Sequence, residues 1–392
     1  MYEYKYKKVV VLSPETLFYG DFDYDDITRA VILNSRQTKT PSGHEPWVSQ
    51  TVKAVQYARD NDYTILTSTG MNTWELVCVA SANQNARQII IEHISTEEQI
   101  PSIIENILTD YSLNPANTGW LFYKSEGDGR SPKTSWPIRD KLALDMTSKI
   151  IPVSIRPDGN LWSLIEKHRH NENIEVIEDF RAQYDTKKRD QAFKPELVRV
   201  AIQRKKWNFI THWTRTCYGR WPGEKSAAFY QRLIESGDDY PNNALETLKQ
   251  ILKEKLIRGS ANNLRAGLSG VAFSSLHPAD ILPLMGWRKR LVRWNFEPYG
   301  IAIARSAAIA ANIQPVIYGK PEIYDRLVEA DRPYFQNEGS DGGSWREEKE
   351  WRYLGDFDLG RIDPQDLRVI VFRPAEAISL RNLTDAPIVS FT

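Results

Sequence analysis

The sequence predicts two domains of different fold class, a Rossmann-like α/β domain with a doubly wound parallel sheet and an α+β domain with mostly antiparallel strands. In residues 1–165, short apolar runs alternate with amphipathic helical patterns, and no hairpin turn separates them. That alternation is typical of a parallel sheet. Residues 207–392 contain many short β-type runs and one clear helix, as an α+β domain does. The charged residues 166–206 predict a connector.

The predicted strands of the first domain are apolar runs, and a helical pattern follows most of them. The strands are 27–35, 63–68, 87–93, 118–124 and 149–155, and the helices are 46–61, 72–83, 96–111 and 136–148. Asn72 is a favourable N-cap for the second of these helices. In the second domain the helix is 243–256, and the β-type runs are 209–213, 270–275, 293–296, 299–304, 314–319, 350–357 and 367–372.

The composition excludes several classes of protein. Basic and acidic residues number 51 each, and the resulting net charge of zero argues against a general polyanion binder, although a local basic face is compatible with it. Cys78 and Cys217 are the only cysteines, so we predict neither a disulfide framework nor a metal site. No run of about 18 apolar residues occurs, and the N-terminal run VVVL is too short for a signal peptide. We therefore expect a cytoplasmic protein that spans no membrane.

Polar residues follow the first two predicted strands of the α/β domain, where an open parallel sheet binds its ligands. The arginine of Asn34-Ser35-Arg36 can grip a phosphate with two hydrogen bonds, and the second group precedes a helix N-terminus, which favours anions. The alternative is an ordinary pair of strand-to-helix turns, because such turns use the same residue types. The predicted nucleotide-binding residues are Asn34, Ser35, Arg36, Ser68, Thr69, Gly70, Asn72, Thr73 and Glu75.

Three segments in this order resemble the DNA-processing-protein and lysine-decarboxylase-like (SLOG) Rossmannoid superfamily. They are VILNSRQTKTP, ILTSTGMNTWEL and WPIRDKLALDMTSKIIPVSIRPDGNL, all within residues 28–160. In this chain Asn34 stands where the family has a glycine, and the second segment has one glycine where the family commonly has two or three. The resemblance implies the fold and the binding of a nucleotide or nucleic acid. Glu75 faintly echoes a catalytic glutamate of the phosphoribohydrolase members, whereas at a helix start it also suits the helix dipole.

Three groups of polar residues are spaced along the second domain. The first contains His212 and Thr214, the second contains Ser274, and the third is Glu348-Lys349-Glu350-Trp351-Arg352. Each group has an ordinary interpretation, and for the third this is a solvated, charged strand edge. If residues 348–352 form one strand, Glu348 and Glu350 share a face, and two close carboxylates raise one pKa.

The order of a His/Arg strand, an aromatic–Ser–Ser strand and a Glu-x-Glu motif resembles the ADP-ribosyltransferase fold, including DNA-targeting toxins of that family. The resemblance implies that Glu350 stabilises the oxocarbenium ion formed when NAD loses nicotinamide, and that Glu348 aligns or deprotonates the acceptor. It also implies supporting residues for NAD as the substrate, namely His212, Thr214, Ser274 and Tyr299. The tail WREEKEWRYL resembles uncharacterised bacterial domains that often occur in defence loci.

Three functional hypotheses follow from these patterns. The leading one is an intracellular NAD-consuming enzyme, an ADP-ribosyltransferase or NAD glycohydrolase in bacterial antiphage defence, coupled to a Rossmannoid domain that senses a nucleotide or binds nucleic acid. The second is a non-catalytic protein that binds a nucleotide or single-stranded nucleic acid. The third is an N-glycosidase that acts on a nucleotide in the N-terminal pocket. The sequence predicts neither the acceptor nor the oligomeric state.

Overall fold

A computed structural model shows two compact units. It describes residues 8–13, 15–124, 132–185, 194–261, 264, 267–288, 293–337 and 344–392. The first unit comprises Met1–Lys187 together with Tyr218–Pro241, and the second comprises Lys188–Cys217 and Asn242–Thr392. Residues 218–241 therefore belong with the first unit, whereas the sequence analysis placed them in the second domain.

The first unit is built on an eight-stranded sheet of order β1-β2-β6-β5-β4-β3-β7-β8. Its strands are β1 Lys8–Ser13, β2 Thr16–Gly20, β3 Arg29–Asn34, β4 Thr64–Ser68, β5 Gln88–His93, β6 Thr118–Tyr123, β7 Lys149–Ser154 and β8 Glu175–Val176. Strands β3 to β8 run parallel, and β1 and β2 add an antiparallel edge. Its helices are α1 Pro46–Asp60, α2 Asn72–Asn83, α3 Ile100–Asp110, α4 Pro132–Asp145, α5 Asn160–Arg169 and α6 Ser226–Glu235.

Helices cover both faces of this sheet, which confirms the predicted Rossmann-like α/β class. Along β3, Ala30 and Ile32 pack against α1 and α2, whereas Val31 and Leu33 pack on the side of α4 and α5. A strand buried on both faces has to be apolar at every position, and this explains the continuous apolar runs in the sequence. The unit extends beyond residue 165, because α5 and β8 add to the same sheet.

The strand order reverses between β3 and β7. The chain proceeds from β3 outward to β6 and then returns to the other side of β3 to form β7. At this point the Ser35 amide donates to the Ser154 carbonyl over 2.8 Å, and the register shifts between Leu33 and Asn34. Ligands of open α/β sheets bind in the crevice that such a reversal opens at the carboxyl ends of the strands.

The second unit contains a seven-stranded sheet of order β15-β18-β11-β9-β14-β20-β21, antiparallel except for β20 and β21. The unit confirms a predominantly antiparallel α+β class. Its helices are α7 Ala244–Glu254, α8 Pro278–Ile281, α9 Arg305–Ala310 and α10 Pro321–Tyr324. The strands are β9 Phe209–Thr214, β10 Leu256–Ile257, β11 Gly270–Ser274, β12 Trp287–Arg288, β13 Arg293–Trp294, β14 Tyr299–Ala304, β15 Gln314–Pro315, β16 Ile317–Gly319, β17 Phe335–Asn337, β18 Glu350–Leu354, β19 Phe357–Asp358, β20 Leu367–Val371 and β21 Ile388–Ser390.

The two faces of this sheet carry separate cores. Ile210, Phe273 and Ile301 belong to a core with α7 and α9. Trp213 and Ala302, from the same central strands, belong to the core on the opposite face. Because side chains alternate along a strand, each polar residue of the sheet can be assigned to one face from its apolar neighbours.

The sequence analysis predicts that no segment spans a membrane, and the length and hydropathy of the helices can be compared with that prediction. Among the residues that the structure describes, every helix is too short or too polar to cross a bilayer.

Helix α6 is held to the rest of the first unit by a close backbone contact. The Gly43 amide donates to the Ser236 hydroxyl over 2.8 Å, and the His44 amide donates to the Gly237 carbonyl over 3.2 Å. A Cβ atom at Gly43 would lie 2.7 Å from the Leu233 carbonyl oxygen and still closer to that of Ser236. Only glycine therefore allows this approach.

We expect Gly43→Ala to lower the free energy of unfolding by about 1–3 kcal/mol, because an added methyl group meets rigid backbone. Helix α6 should also exchange its amide hydrogens faster. Urea unfolding and hydrogen exchange measure the two effects. Gly286→Ala is the control, since a Cβ atom there would meet nothing within 4 Å. Equal stability and exchange in Gly43→Ala and the wild type would contradict the role of this contact.

Candidate functional site

Two arginines project from the carboxyl ends of β3 and β7, where the strand order reverses. Arg36 and Arg156 are both exposed, and the Arg156 amide donates to the Ser35 hydroxyl over 2.9 Å. Within the described part of the chain, neither guanidinium forms a hydrogen bond or an ion pair with another residue. Two cationic groups at neighbouring strand ends, each without a carboxylate partner, can each offer a planar pair of N–H donors to a phosphate.

The predicted residues Asn34 and Ser35 build this crevice from inside the protein. Asn34 is buried, its amide group donates to the Thr51 hydroxyl over 2.9 Å, and its oxygen accepts from the Ser154 amide over 3.2 Å. Ser35 is also buried and accepts from the Arg156 amide. Their polar groups join β3 to β7, which leaves Arg36 as the residue of this motif that faces solvent.

The loop between β4 and α2 forms the second wall of the crevice. The Asn72 side chain donates to the Thr38 carbonyl over 3.2 Å, and this bond joins the loop to the segment after Arg36. Ser68 and Thr73 are buried, and the Thr73 hydroxyl has no hydrogen-bond partner among the described residues. The predicted residues 68–73 and 34–36 therefore lie at neighbouring strand ends.

Two carboxylates accept hydrogen bonds from the β4–α2 loop. The Thr69 amide and hydroxyl donate to Glu92 Oε1 over 3.0 and 2.6 Å. The Gly70 amide donates to Glu75 Oε1 over 2.8 Å, at a glycine with φ of +83°. These N–H groups are the ones that a phosphate-binding loop usually presents to its ligand. The Trp74 and Glu75 amides donate to the Met71 carbonyl over 3.0 Å, and Met71 at the N-cap provides no side-chain cap. Among the described residues, the first-turn N–H groups of α2 that remain for a ligand are therefore those of Asn72 and Thr73.

Glu75 is surrounded by hydrogen-bond donors. Besides Gly70, Tyr111 donates to its Oε1 over 2.8 Å, and Tyr230 of α6 donates to its Oε2 over 2.5 Å. Burial and the adjacent Glu75 carboxylate raise the pKa of both phenols above the ordinary value of 10.0. Glu75, predicted from the sequence as a ligand contact, thus holds the loop and α6 together.

Sequence reasoning missed two polar residues of this crevice, Glu92 and Arg156. Burial raises the pKa of Glu92, although the bonds from Thr69 and the charge of Arg139 oppose the shift. Arg139 itself is buried, stacks over the Trp74 ring at 4.5 Å and donates to Asp140. Glu92 lies inside a predicted strand and Arg156 directly follows another, so a search of every strand end would have found both.

In the second unit the sheet register separates the predicted residues. Ser274 lies directly opposite both Glu350 of β18 and Thr211 of β9, so these three share one face. His212 follows Thr211 by one position and pairs with Ile301, which places it on the other face. The structure therefore does not bring His212 onto the strand face that Ser274 and Glu350 share.

The predicted shared strand face of Glu348 and Glu350 is also absent. Glu348 ends a 3-10 turn, Ser344–Glu348, and Lys349 has φ of +46°, so the strand begins only at Glu350. Glu348 is buried, and its Oε1 lies 3.3 Å from the Asn295 amide nitrogen and 3.7 Å from Arg288 Nη2. Burial raises the pKa of Glu348, and the charge of Glu350 acts in the same direction.

Glu350 and Ser274 are tied into this face by short bonds. Glu350 Oε1 accepts from Arg352 Nε and Nη2 over 3.2 and 2.9 Å, and its amide donates to the Tyr318 hydroxyl over 3.1 Å. The Ser274 hydroxyl donates to the Glu348 carbonyl over 2.6 Å. Ser274 thus supports the turn that carries both glutamates, and Arg352 neutralises Glu350.

The three remaining predicted contacts lie together on the opposite face. The His212 ring Nδ1 lies 2.9 Å from the Ala272 carbonyl oxygen, and burial lowers the pKa of His212 from 6.5 to about 4. Thr214 pairs with Tyr299, whose hydroxyl donates to Glu376 over 3.1 Å. His212 is therefore neutral at pH 7, and the Tyr299 hydroxyl is engaged within the protein.

Among the described residues, no group of three or more His, Cys, Asp and Glu side chains could hold a metal ion. Cys78 is buried and Cys217 is partly buried, and neither is joined in a disulfide.

We expect the free energy of unfolding to fall as the pH rises above 10. The folded protein keeps Tyr111 and Tyr230 protonated there, because their pKa values are raised, while the unfolded chain ionises. Each such tyrosine contributes a slope of about 1.4 kcal/mol per pH unit. Urea unfolding between pH 9 and 11 should give Tyr230→Phe a shallower decline than the wild type, with parallel behaviour between pH 7 and 9. Identical slopes above pH 10 would show that Tyr230 is not shielded.

Comparison with known proteins assigns no family to the chain. No family model and no curated protein matches it. Among solved structures, DNA processing protein A of Streptococcus pneumoniae is similar, with a TM-score of 0.29, 15% identity and coverage of 41% of this chain and 53% of that one. DNA processing protein A of Helicobacter pylori, described for its unique single-stranded DNA binding mode, is also similar. Its TM-score is 0.30, its sequence identity is 13%, and the match covers 43% of this chain and 86% of that one. Similarity at this level establishes neither a shared fold nor a shared function.

Proposed function

We propose that the first unit binds the phosphate groups of a nucleotide, either free or within a single-stranded nucleic acid. The site is the crevice between Arg36, Arg156 and the β4–α2 loop. The observation that carries this proposal is the pair of exposed guanidinium groups at the reversal of the strand order, with no protein partner among the described residues.

The charge distribution supports a local phosphate site. The net charge of the chain is zero, so long-range attraction to a polyanion is weak and recognition has to come from placed groups. Arg36 and Arg156 emerge from neighbouring strands, so one phosphate group can meet both planar forks. The first-turn amides of α2 add donors on the other side of the crevice.

A binding role suits this crevice better than hydrolysis by Glu75. A general base or nucleophile needs an oxygen that can reach the substrate. Both oxygens of Glu75 accept hydrogen bonds from Gly70, Tyr111 or Tyr230. These contacts disfavour the N-glycosidase hypothesis, in which Glu75 would act on the bound nucleotide.

The test of the binding role is Arg36→Gln and Arg156→Gln. We expect each variant to bind a labelled oligo(dT) and competing nucleotides about tenfold more weakly, because a charge-assisted hydrogen bond contributes about 1.5–3 kcal/mol. For the oligonucleotide, each lost phosphate contact should reduce the slope of log K against log salt by about 0.7. Fluorescence anisotropy at several salt concentrations measures both quantities.

The matched control is Arg59→Gln on α1, where the arginine is paired with Asp60 instead of facing the crevice. It should bind like the wild type. Absence of binding by the wild type, or equal affinity in all four proteins, would reject the phosphate site.

We also propose a second candidate, an NAD-consuming reaction on the Glu350 face of the second unit. Ser274 lies opposite Glu350, and the raised pKa of Glu348 suits an acid or base near a developing charge. Arg288 and Asn295 orient Glu348 on this face. In this scheme NAD is the substrate, and a role in antiphage defence depends on the activity. The scheme has to work without His212, Thr214 and Tyr299, which lie on the other face.

Incubation with NAD tests the second candidate. We expect the wild type to release nicotinamide. In Glu350→Gln the rate of release should fall by a factor of about 10²–10³, because the carboxylate would stabilise the oxocarbenium ion electrostatically. Chromatography measures nicotinamide, and Glu347→Gln, at an exposed neighbouring position, is the control. No release by the wild type, or an unchanged rate in Glu350→Gln, would reject NAD consumption by Glu350.

A further inference from the structure

Glu92, at the carboxyl end of β5, has one carboxylate oxygen that no described residue engages. Its Oε1 accepts from the Thr69 amide and hydroxyl. Its Oε2 has no donor among the described residues. The side chain is partly buried and belongs to the next-to-last residue of β5, at the carboxyl end of that strand, where an open parallel sheet binds its ligands.

A carboxylate can accept a hydrogen bond from a ligand when one of its oxygens is free and the other is fixed by hydrogen bonds within the protein. Removal of a carboxylate from water is costly unless hydrogen bonds replace the lost hydration. Thr69 replaces it at Oε1 and fixes the orientation of the group. The second oxygen remains an acceptor with a defined direction, which is the property that recognition of a hydroxyl group requires.

The distance between Glu92 and the two arginines corresponds to the length of a nucleotide. In the sheet order β5-β4-β3-β7, the end of β5 lies about two inter-strand spacings, or about 10 Å, from the end of β3 and about three, or about 14 Å, from the end of β7. A ligand with its terminal phosphates at Arg36 and Arg156 would cross the β4–α2 loop and place its ribose near Glu92. Acidic residues at strand ends of dinucleotide-binding sheets accept hydrogen bonds from ribose hydroxyls in this manner.

We infer that Glu92 accepts a hydrogen bond from a ribose hydroxyl, and that the ligand of the first unit is a free ribonucleoside di- or triphosphate. This inference rests on the proposed phosphate site at Arg36 and Arg156. It adds a specificity determinant to that site, because a carboxylate acceptor discriminates against ligands that lack the hydroxyl.

Calorimetric titration with ATP, 2′,3′-dideoxyATP and inorganic tripolyphosphate tests the inference. We expect the wild type to bind ATP about tenfold more tightly than the dideoxy analogue. In Glu92→Ala the two affinities should become equal, and in Glu92→Gln, which retains an acceptor for Thr69, their ratio should be intermediate. Tripolyphosphate, which has no hydroxyl group to offer, is the reference for the phosphate site in each protein, so the ratio of the ATP and dideoxyATP affinities reports on Glu92. The control is Glu105→Gln, at an exposed position of α3.

The outcomes separate this inference from the proposed function. Binding of tripolyphosphate that depends on Arg36 and Arg156, with equal affinity for ATP and its dideoxy analogue, would overturn the role of Glu92 and leave the phosphate site standing. An unchanged ratio in Glu92→Ala would also overturn it. Tighter binding of an octameric oligo(A) than of ATP would reject a free nucleotide as the ligand. No binding of tripolyphosphate or ATP would reject the phosphate site and the inference together.

Discussion

The hydrogen bonds between β3 and β7 determine the geometry of the first unit's crevice. Here the strand order reverses, and the register shift at Asn34 turns the backbone so that Ser35 bonds to both strand ends. An amide and a hydroxyl are buried there, and such groups are costly unless every donor and acceptor is matched. The hydrogen bonds of these buried groups fix the directions in which Arg36 and Arg156 leave the sheet. The remaining features of the candidate site depend on that placement.

The β4–α2 loop shows how carboxylates can shape an anion site without closing it. Glu75 accepts a hydrogen bond of 2.8 Å from the Gly70 amide, and Glu92 accepts one of 3.0 Å from the Thr69 amide. Side chains of α2 and β5 therefore hold the backbone of this loop in place. The same Glu75 bonds to Tyr230, so the segment 218–241 is attached to the ligand-binding loop within the first unit.

Strand alternation decides the chemistry of the second unit. A single position along β9 separates Thr211, on the Glu350 face, from His212, on the face with α7. Sequence order cannot report this, because the face that a residue occupies depends on the register of its strand with its neighbours. The interpretation of Glu348 and Glu350 failed for a related reason. A left-handed residue at Lys349 ends the turn and starts the strand, and no local pattern in a run of charged residues indicates that.

The sequence by itself determined the fold classes, the apolar strands of the first unit and the polar strand ends at Arg36 and Thr69. These are local properties, since an apolar run buried on both faces or a polar turn before a helix can be recognised from consecutive residues. Only the tertiary structure decided which strand ends are neighbours, which side chains are already engaged, and that residues 218–241 join the first unit. Those facts depend on strand order and on contacts such as Tyr230 with Glu75, between residues far apart in the chain. Glu92 illustrates the difference, because its inferred role follows from two hydrogen bonds from Thr69 and from the oxygen that these bonds leave open.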